Sequence, residues 1–398
     1  MAFRIGLLTK TLMAAGCMAG AMAAVHADTV KVGVLLPMTG PNAAFGRTSL
    51  NGMQMAVEDF NAKGGVKSLG GAKIELVIAD TPSPNTTAQS TQRLISRERV
   101  AAVLGSFASS TTIAAMEVTE RAGVPLVTFS FADELTERGY KNIFKVTPHA
   151  SAMGRAQFDY SLALAKEAGE EVKTVAILYE DTAYGTAQAR GLRDAANEAG
   201  IKIVLDEAYP LGITDATPLV NKVRVSQADM VFPVSYLNDS MLIIRTMRQQ
   251  NVTAPMIGGA AGYIIPDFKA ALGEYAEGVL SVSTAADDYV PEMREKYEAK
   301  HGTIMPHDAL LYAAGAEALF LAIDKAGSAA PAKVREALTE IKHCENFAKA
   351  SPSGCIEFDE TGLNAGTFPI MVQWRGDQLV TVYPLEIATQ KVLWPEGK

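Results

Sequence analysis

The sequence predicts an α/β fold in which two similar halves each contain a doubly wound parallel sheet. Short β-branched runs alternate with longer amphipathic stretches from residue 30 onward, and the same alternation starts again after Pro148. Strand–helix–strand repeats of this kind require parallel strands with helices on both faces. A chain of 398 residues is long enough for two domains, and no Pro- or Ser-rich linker separates the halves. We therefore expect two hinged lobes with a cleft between them.

Hydrophobic spacing predicts each element of the first half. The apolar run at 30–36 predicts a buried strand, and apolar residues then recur at helical spacing from Leu50 to Phe60 until Gly64 and Gly65 end the helix. The elements predicted next are strands at 74–79, 100–104 and 125–129 and helices at 86–97 and 111–122.

The second half repeats this pattern and ends with a different one. The predicted strands lie at 175–179, 201–205, 230–234 and 255–258, and the predicted helices lie at 183–199, 218–225 and 238–250. A late helical region at 306–326 and a strand pair near 368–374 and 379–383 complete the chain.

Charge and motifs exclude several classes of function. The chain has 36 Lys and Arg against 44 Asp and Glu and contains no basic run, so we expect no nucleic-acid partner. Walker, GxSxG and HExxH sequences are absent, as is a GxGxxG after the first strand. We therefore expect a protein that is not an enzyme, with no catalytic residues, no cofactor and no metal.

The N-terminus predicts export. Arg4 and Lys10 precede a short apolar stretch that ends in small residues, which is typical of a secretory signal peptide at residues 1–27 with cleavage after Ala27. The apolar stretch is shorter than the roughly 20 residues of a membrane span. Lipidation at Cys17 is the alternative, although the usual leucine three residues earlier is missing. We expect a periplasmic protein.

The two remaining cysteines predict a disulfide. Cys344 and Cys355 flank a turn-forming segment in a chain that we expect to be exported, and an oxidising compartment favours their pairing. Two free thiols are the alternative.

Candidate binding residues lie in the loops that follow the predicted strands. Ligands of parallel sheets bind at the carboxyl ends of the strands. The loop at 105–112 opens a helix, so its hydroxyls and free backbone N–H groups favour an anion. Ser109 or Ser110 as a simple helix cap is the alternative interpretation. The loop at 37–46 contains Phe45, and a third loop lies at 129–133.

Several segments, taken in order, resemble one family. These segments are 32–40, 51–65, 105–112, 134–140, 184–185 and 276–279. Through them the chain resembles the periplasmic substrate-binding proteins of the branched-chain amino-acid type, the leucine–isoleucine–valine-binding protein family.

The resemblance implies a fold and a partner. It implies the type I periplasmic-binding-protein fold, with two lobes joined by three crossovers, and delivery of a small-molecule ligand to ABC transporter permease subunits by a monomer. The implied ranges are crossovers near 147, 283 and 363, a first lobe at 28–147 plus 284–363, and a second lobe at 148–283 plus 364–398.

The resemblance also implies roles for individual residues. The Ser109 hydroxyl and the neighbouring amides, with Ser110, would hold the ligand carboxylate. Ser130 and Phe131 would complete that carboxylate site. The residues implied to pack on the ligand or close over it are Phe45, Tyr184 and Tyr236.

One departure from the family bears on the ligand. The acidic residue that binds an α-ammonium group in the family is Ala260 here, and the candidates to replace it are Asp181 and Asp239. The leading hypothesis is a receptor for a branched-chain or related apolar amino acid. The alternatives are a receptor for a carboxylate without an amino group, such as an aromatic or 2-oxo acid, and a ligand sensor of the same fold.

Overall fold

The computed structural model describes residues 29–394, and its first part is a fully parallel sheet. The strand order is β2-β1-β3-β4-β5. Its strands are β1 (Val30–Leu36), β2 (Ile74–Asp80), β3 (Val103–Gly105), β4 (Leu126–Thr128) and β5 (Ile143–Lys145). The helices between them are α1 (Ala43–Ala62), α2 (Pro84–Arg93), α3 (Ser109–Ala122) and α4 (Glu134–Glu137). A π-helical turn at Leu94–Glu98 extends α2 to the end of the predicted helix.

The chain then builds a second sheet. Its strands include β6 (Thr174–Glu180), β7 (Lys202–Tyr209), β8 (Met230–Val234), β9 (Ile257–Gly258) and β10 (Leu280–Ser283). The helices are α5 (Ala150–Glu167), α6 (Ala183–Glu198), α7 (Thr217–Ser226), α8 (Leu237–Gln249) and α9 (Pro266–Leu272). A parallel bridge between Val231 and Met256 joins the order β7-β6-β8 to β9 and β10.

The remaining elements return to the first sheet and then to the second. The elements are α10 (Pro291–His301), α11 (His307–Ala326), α12 (Pro331–Leu338), β11 (Lys342–His343), β12 (Ile356–Glu357), β13 (Ile370–Arg375) and β14 (Gln378–Tyr383). Short 3-10 turns lie at Lys67–Leu69, Ala261–Tyr263, Gly273–Ala276, Asp287–Tyr289 and Asn346–Ala350. Helix α11 packs along α1, whereas β13 and β14 extend the second sheet in antiparallel orientation beside β10.

The hydrophobic cores follow the two sheets. The largest cluster combines residues of 30–146 with residues of 285–358, so the late helices bury the first sheet. Another cluster combines residues of 150–282 with 371–382. The α/β class and the two sheets are as the sequence predicts, and the chain passes between them three times. The exact lobe boundaries stay a prediction.

Two further expectations concern the covalent structure and the N-terminus. Cys344 and Cys355 form a disulfide beside the β11–β12 pair, which confirms their predicted pairing. The predicted signal peptide and Cys17 lie outside the described residues. Within residues 29–394, the helices are too short or too polar to span a bilayer.

Candidate ligand-binding site

The N-terminus of α3 presents backbone N–H groups. Helix α3 begins at Ser109, and its first intrahelical bond runs from Thr112 N–H to Ala108 O at 3.0 Å. The N–H groups of Ser109, Ser110 and Thr111 therefore precede the helical hydrogen-bond ladder. The N-cap residue is Ala108, which has no side-chain acceptor. The capping interpretation of Ser109 and Ser110 is therefore wrong, because both residues lie inside the first turn.

Gly105 allows the chain to enter this turn. Its φ is 121°, and a Cβ atom there would lie 2.2 Å from the carbonyl oxygen of Leu35. No other residue fits so close to β1 in this conformation. The glycine at the end of β3 therefore determines where the N-terminus of α3 lies.

Two buried serines connect α3 with the loop after β4. Ser109 Oγ accepts a hydrogen bond from Ala132 N–H at 3.1 Å, which leaves its own proton free to donate. Ser130 Oγ lies 2.9 Å from the carbonyl oxygens of Ser106 and Phe107. Ser130 therefore fixes the loop that precedes α3, while Ser109 has a donor available.

Lys145 holds the loop after β4, and the sequence analysis did not identify this residue. Its Nζ donates to Phe131 O at 2.7 Å and to Ala132 O at 3.2 Å, and the side chain is buried. Burial lowers the pKa of Lys145 to about 7, although nearby carboxylates raise it. The signal in the sequence was a lysine placed between the apolar residues Phe144 and Val146.

Aromatic side chains form a continuous row between the two sheets. Phe45 stacks on Phe107 with ring centroids 4.2 Å apart, and Phe107 lies 5.7 Å from Tyr236. Tyr184 lies 5.4 Å from Tyr236 and 5.7 Å from Phe131. We call these five residues the aromatic row. The structure thus brings together all four aromatic residues that the sequence analysis named and adds Phe107.

The second-sheet end of the row is polar. Tyr184 donates to the carbonyl oxygen of Gly259. Glu180, a buried carboxylate that sequence reasoning missed, accepts backbone N–H bonds from Thr182 and Gly185 at 2.7 Å each. Burial raises the pKa of Tyr236 well above its ordinary value and the charge of Glu180 raises it further, while the N–H of Ser109 lowers it. The Tyr236 hydroxyl therefore lies near the N-terminus of α3.

Ala260, which occupies the position of the family's acidic residue, carries no charge. Ala260 is buried, and its N–H donates to Ser281 Oγ at 3.0 Å. Asp181 is exposed at the end of β6. Asp239 is buried, and its Oδ2 accepts from Gly212 N–H at 3.0 Å, so this carboxylate holds the loop before α7. Its Oδ1 has no hydrogen-bond partner in the described part of the chain. Within residues 29–394, neither aspartate forms a hydrogen bond or ion pair with the aromatic row.

An ion pair joins the loop after β4 to the second sheet's helices. Asp133 accepts from Arg190 on α6 at 2.5 Å and from Ser151 N–H on α5 at 3.1 Å. Burial alone would raise the pKa of Asp133, but the hydrogen bonds from Ser151 and the charges of Lys145 and His149 lower it overall. Asp133 is therefore stabilised as a carboxylate, first by the hydrogen bonds from Ser151 and then by the nearby positive charges.

The same aspartate belongs to a cluster with metal-ligand chemistry. Asp133, Glu137 and His149 place ligand atoms within 4.8 Å of one another. Arg190 already pairs with Asp133, and His149 Nε2 lies 2.8 Å from Thr136 Oγ1. We interpret the cluster as part of the ion-pair network, because Asp133 and His149 already have partners.

The chain is similar to known proteins over nearly its whole length. Residues 29–371 match a family described as periplasmic binding protein. Leu/Ile/Val-binding protein homolog 7 of Brucella suis biovar 1 is 32% identical over 399 residues, with 97% of this chain and 98% of the relative covered.

Solved structures share the fold. A leucine binding protein from Thermotoga maritima aligns with a TM-score of 0.78 and 25% identity over 90% of this chain and 100% of its own. A solute binding protein of an ABC transporter from Rhodopseudomonas palustris BisB5, solved with 3,4-dihydroxybenzoic acid, aligns with a TM-score of 0.78 and 21% identity, covering 93% and 99% of the two chains.

Proposed function

Because the chain belongs to the periplasmic binding protein family and has its type I fold, we propose that it captures a small carboxylate-bearing ligand in the cleft between its lobes. The observation that supports this proposal best is the N-terminus of α3, where N–H groups outside the helical hydrogen-bond ladder and the Ser109 hydroxyl lie near Tyr236 from the second sheet. Such a terminus binds a carboxylate through hydrogen bonds and the helix dipole.

The residues of the aromatic row and the loops have distinct roles in this proposal. Ser109 and Ser110 bind the carboxylate at the start of α3. Ser130 holds the loop that leads into this helix, as its contacts with two loop carbonyls indicate. The packing surfaces are supplied by Phe45, Phe107, Phe131, Tyr184 and Tyr236.

Lobe closure would couple capture to transport. We place the lobes at 28–147 plus 284–363 and 148–283 plus 364–398. A ligand shifts the open–closed equilibrium only by its higher affinity for the closed form, so contacts from both lobes are required. We propose that the closed monomer, exported and cleaved after Ala27, delivers its ligand to the permease subunits of an ABC transporter. We propose no enzymatic activity.

The proposed ligand is a branched-chain or related apolar amino acid. The Brucella relative's name supports this, and the aromatic row is suited to an apolar side chain. A second candidate is a carboxylate without an amino group, which Ala260 favours because an unpaired buried ammonium is costly. The Rhodopseudomonas structure indicates that this fold accommodates an aromatic acid.

A thermal-shift panel tests the proposal. The exported form, beginning at residue 28, is heated with leucine, isoleucine and valine, with their 2-oxo counterparts and with benzoate. A ligand at a hundred times its dissociation constant adds about 2.7 kcal/mol, which shifts the melting temperature by several degrees. Ser109→Ala is the matched variant and should show a smaller shift at the same ligand concentration. No shift with any carboxylate would refute the proposal. A kinase or regulator gene beside this one, in place of permease genes, would favour the ligand sensor.

A further inference from the structure

We propose that Asp308 and Tyr312, on the first turns of α11, form a second polar contact in the cleft and bind the ammonium group of an amino-acid ligand. This inference rests on the proposed function and specifies which of its two ligand classes the cleft accepts. The counter-charge that Ala260 lacks on the second sheet would then come from the first-sheet side.

Asp308 is a carboxylate with only one oxygen bound by side chains. Its Oδ2 accepts from Ser49 Oγ at 2.9 Å and from Thr48 Oγ1, both on α1. Its Oδ1 is shielded from solvent and has no hydrogen-bond partner within residues 29–394. An unpartnered oxygen on a buried carboxylate is costly, so the site favours a donor that arrives from elsewhere.

Tyr312 places a second unpartnered oxygen on the same face of α11. It lies four residues after Asp308, which is one helical turn. The side chain is 1% exposed, and its hydroxyl has no partner in the described part of the chain. Burial raises its pKa well above the ordinary value, the charges of Asp308 and Tyr236 raise it further, and the nearby Ser49 hydroxyl lowers it. The hydroxyl is therefore close to Asp308 and to the aromatic row.

The two oxygens lie beside the aromatic row. Ser49, which binds Asp308, follows Phe45 by one turn of α1, so both face the same side of that helix. The Tyr312 ring stacks on Phe129 with centroids 3.7 Å apart, directly before the loop that contacts α3. In our proposal, an amino acid with its carboxylate at α3 directs its ammonium group toward Asp308 Oδ1 and the Tyr312 hydroxyl.

A purely structural role is the competing explanation for Asp308. Its carboxylate also faces the N–H groups of Asp308 and Ala309 at the start of α11, and its bonds to α1 join the two helices. Such a role predicts that a substitution lowers the melting temperature without changing the preference between ligands. Only the ammonium contact predicts a change in preference.

Calorimetry with a matched ligand pair tests the inference. Leucine and 4-methylpentanoate share the carboxylate and the apolar side chain and differ in the ammonium group. Asp308→Asn should weaken leucine binding about 10- to 100-fold and leave 4-methylpentanoate unchanged. Tyr312→Phe should weaken leucine binding by a smaller factor, and it tests the inference if Asp308→Asn does not fold. Asp324→Asn, farther along α11 and bound to Ser68 N–H, is the control and should change neither affinity.

The outcomes separate this inference from the proposed function. If the Asp308 and Tyr312 variants change the affinities for both ligands equally, or change neither, the inference is overturned. Binding by the wild type would still support the proposed function in that case. Wild-type binding of 4-methylpentanoate but not leucine would overturn the inference and establish the second ligand class. If the wild type binds neither acid and no carboxylate in the thermal panel, the inference and the proposed function are both overturned.

The pH dependence gives a second readout. Burial raises the pKa of Asp308 to about 6, so protonation below that pH removes the charge that attracts an ammonium. Tyr312 and Tyr297, the titratable groups that face it from α11 and α10, have pKa values raised by burial and stay neutral there. Leucine affinity should fall as the pH drops through 6 in the wild type and stay flat in Asp308→Asn. A flat wild-type profile would contradict the inference.

Discussion

Removing the Asp133–Arg190 ion pair should show how strongly closure of the two lobes depends on this one contact. Asp133 belongs to the loop that supplies Ala132 N–H to Ser109, whereas Arg190 belongs to α6 of the second sheet. Arg190→Gln removes the cation and leaves Asp133 with the N–H of Ser151. Because the pair connects the two sheets, we expect it to stabilise the closed form selectively.

The magnitude follows from the exposure of the two partners. The Asp133 side chain is 4% exposed, but the Arg190 side chain is 54% exposed, so solvent screens much of the attraction. The loss therefore falls between that of a surface pair and that of a buried pair, about 1–2 kcal/mol. If the ligand-free protein is mostly open, this loss weakens ligand affinity about 5- to 30-fold.

Calorimetry and stopped-flow dissociation measure this effect against a matched control. Arg193→Gln removes the pair between Arg193 and Asp206, which lies within the second-sheet half, at 2.6 Å. We expect Arg190→Gln to speed ligand release and Arg193→Gln to leave it unchanged. An unchanged ligand affinity in Arg190→Gln, or an equal loss of affinity in Arg193→Gln, would refute a closure role for the Asp133–Arg190 ion pair.

Three further predictions concern other parts of the first-sheet half. Ser109→Ala should weaken carboxylate binding by about 1–3 kcal/mol in calorimetry, because it removes a hydroxyl donor and the acceptor of Ala132 N–H; unchanged affinity would exclude Ser109 from the site. Replacing Cys344 and Cys355 with serine should lower the free energy of unfolding by roughly 3 kcal/mol in denaturant titrations, and an unchanged value would contradict the loop-entropy reasoning. Burial lowers the pKa of Lys145 to about 7 in the folded chain, so above that pH the unfolded chain binds one more proton than the folded chain. The free energy of unfolding of the wild type should therefore rise from pH 7 toward pH 10. The same rise in Lys145→Met would show that another group causes it.

Local sequence patterns were sufficient for much of the fold. The strand at 30–36 and the helix at 183–199 match the structure closely, because hydrophobic periodicity reports which face of an element is buried. Helix α5 and strand β5 were missed. Strand β5 has only three residues, and helix α5 mixes small and polar residues, so neither gives a strong local pattern.

The sequence also determined which loops contain the candidate site. Ser109, Phe45 and Tyr236 follow from the resemblance, and the loops of Ser109 and Phe45 follow also from the rule that ligands bind at the carboxyl ends of parallel strands. The sequence did not indicate that Ser130 bonds to loop carbonyls or that Phe107 lies between Phe45 and Tyr236. Those roles depend on side-chain directions in irregular loops, which have no periodic signature.

By itself, the sequence determined the alternation of elements, the disulfide and the strand ends where a ligand would bind, since each depends on residues near one another in the chain. Only the tertiary structure decided which charged groups meet. Arg190 reaches Asp133 from 57 residues away, and Thr48 reaches Asp308 from 260 residues away. A buried charge is stabilised by whichever partners the packed helices bring within about 3 Å. No local pattern contains that information, so the polar contacts that distinguish one ligand from another appear only in the folded chain.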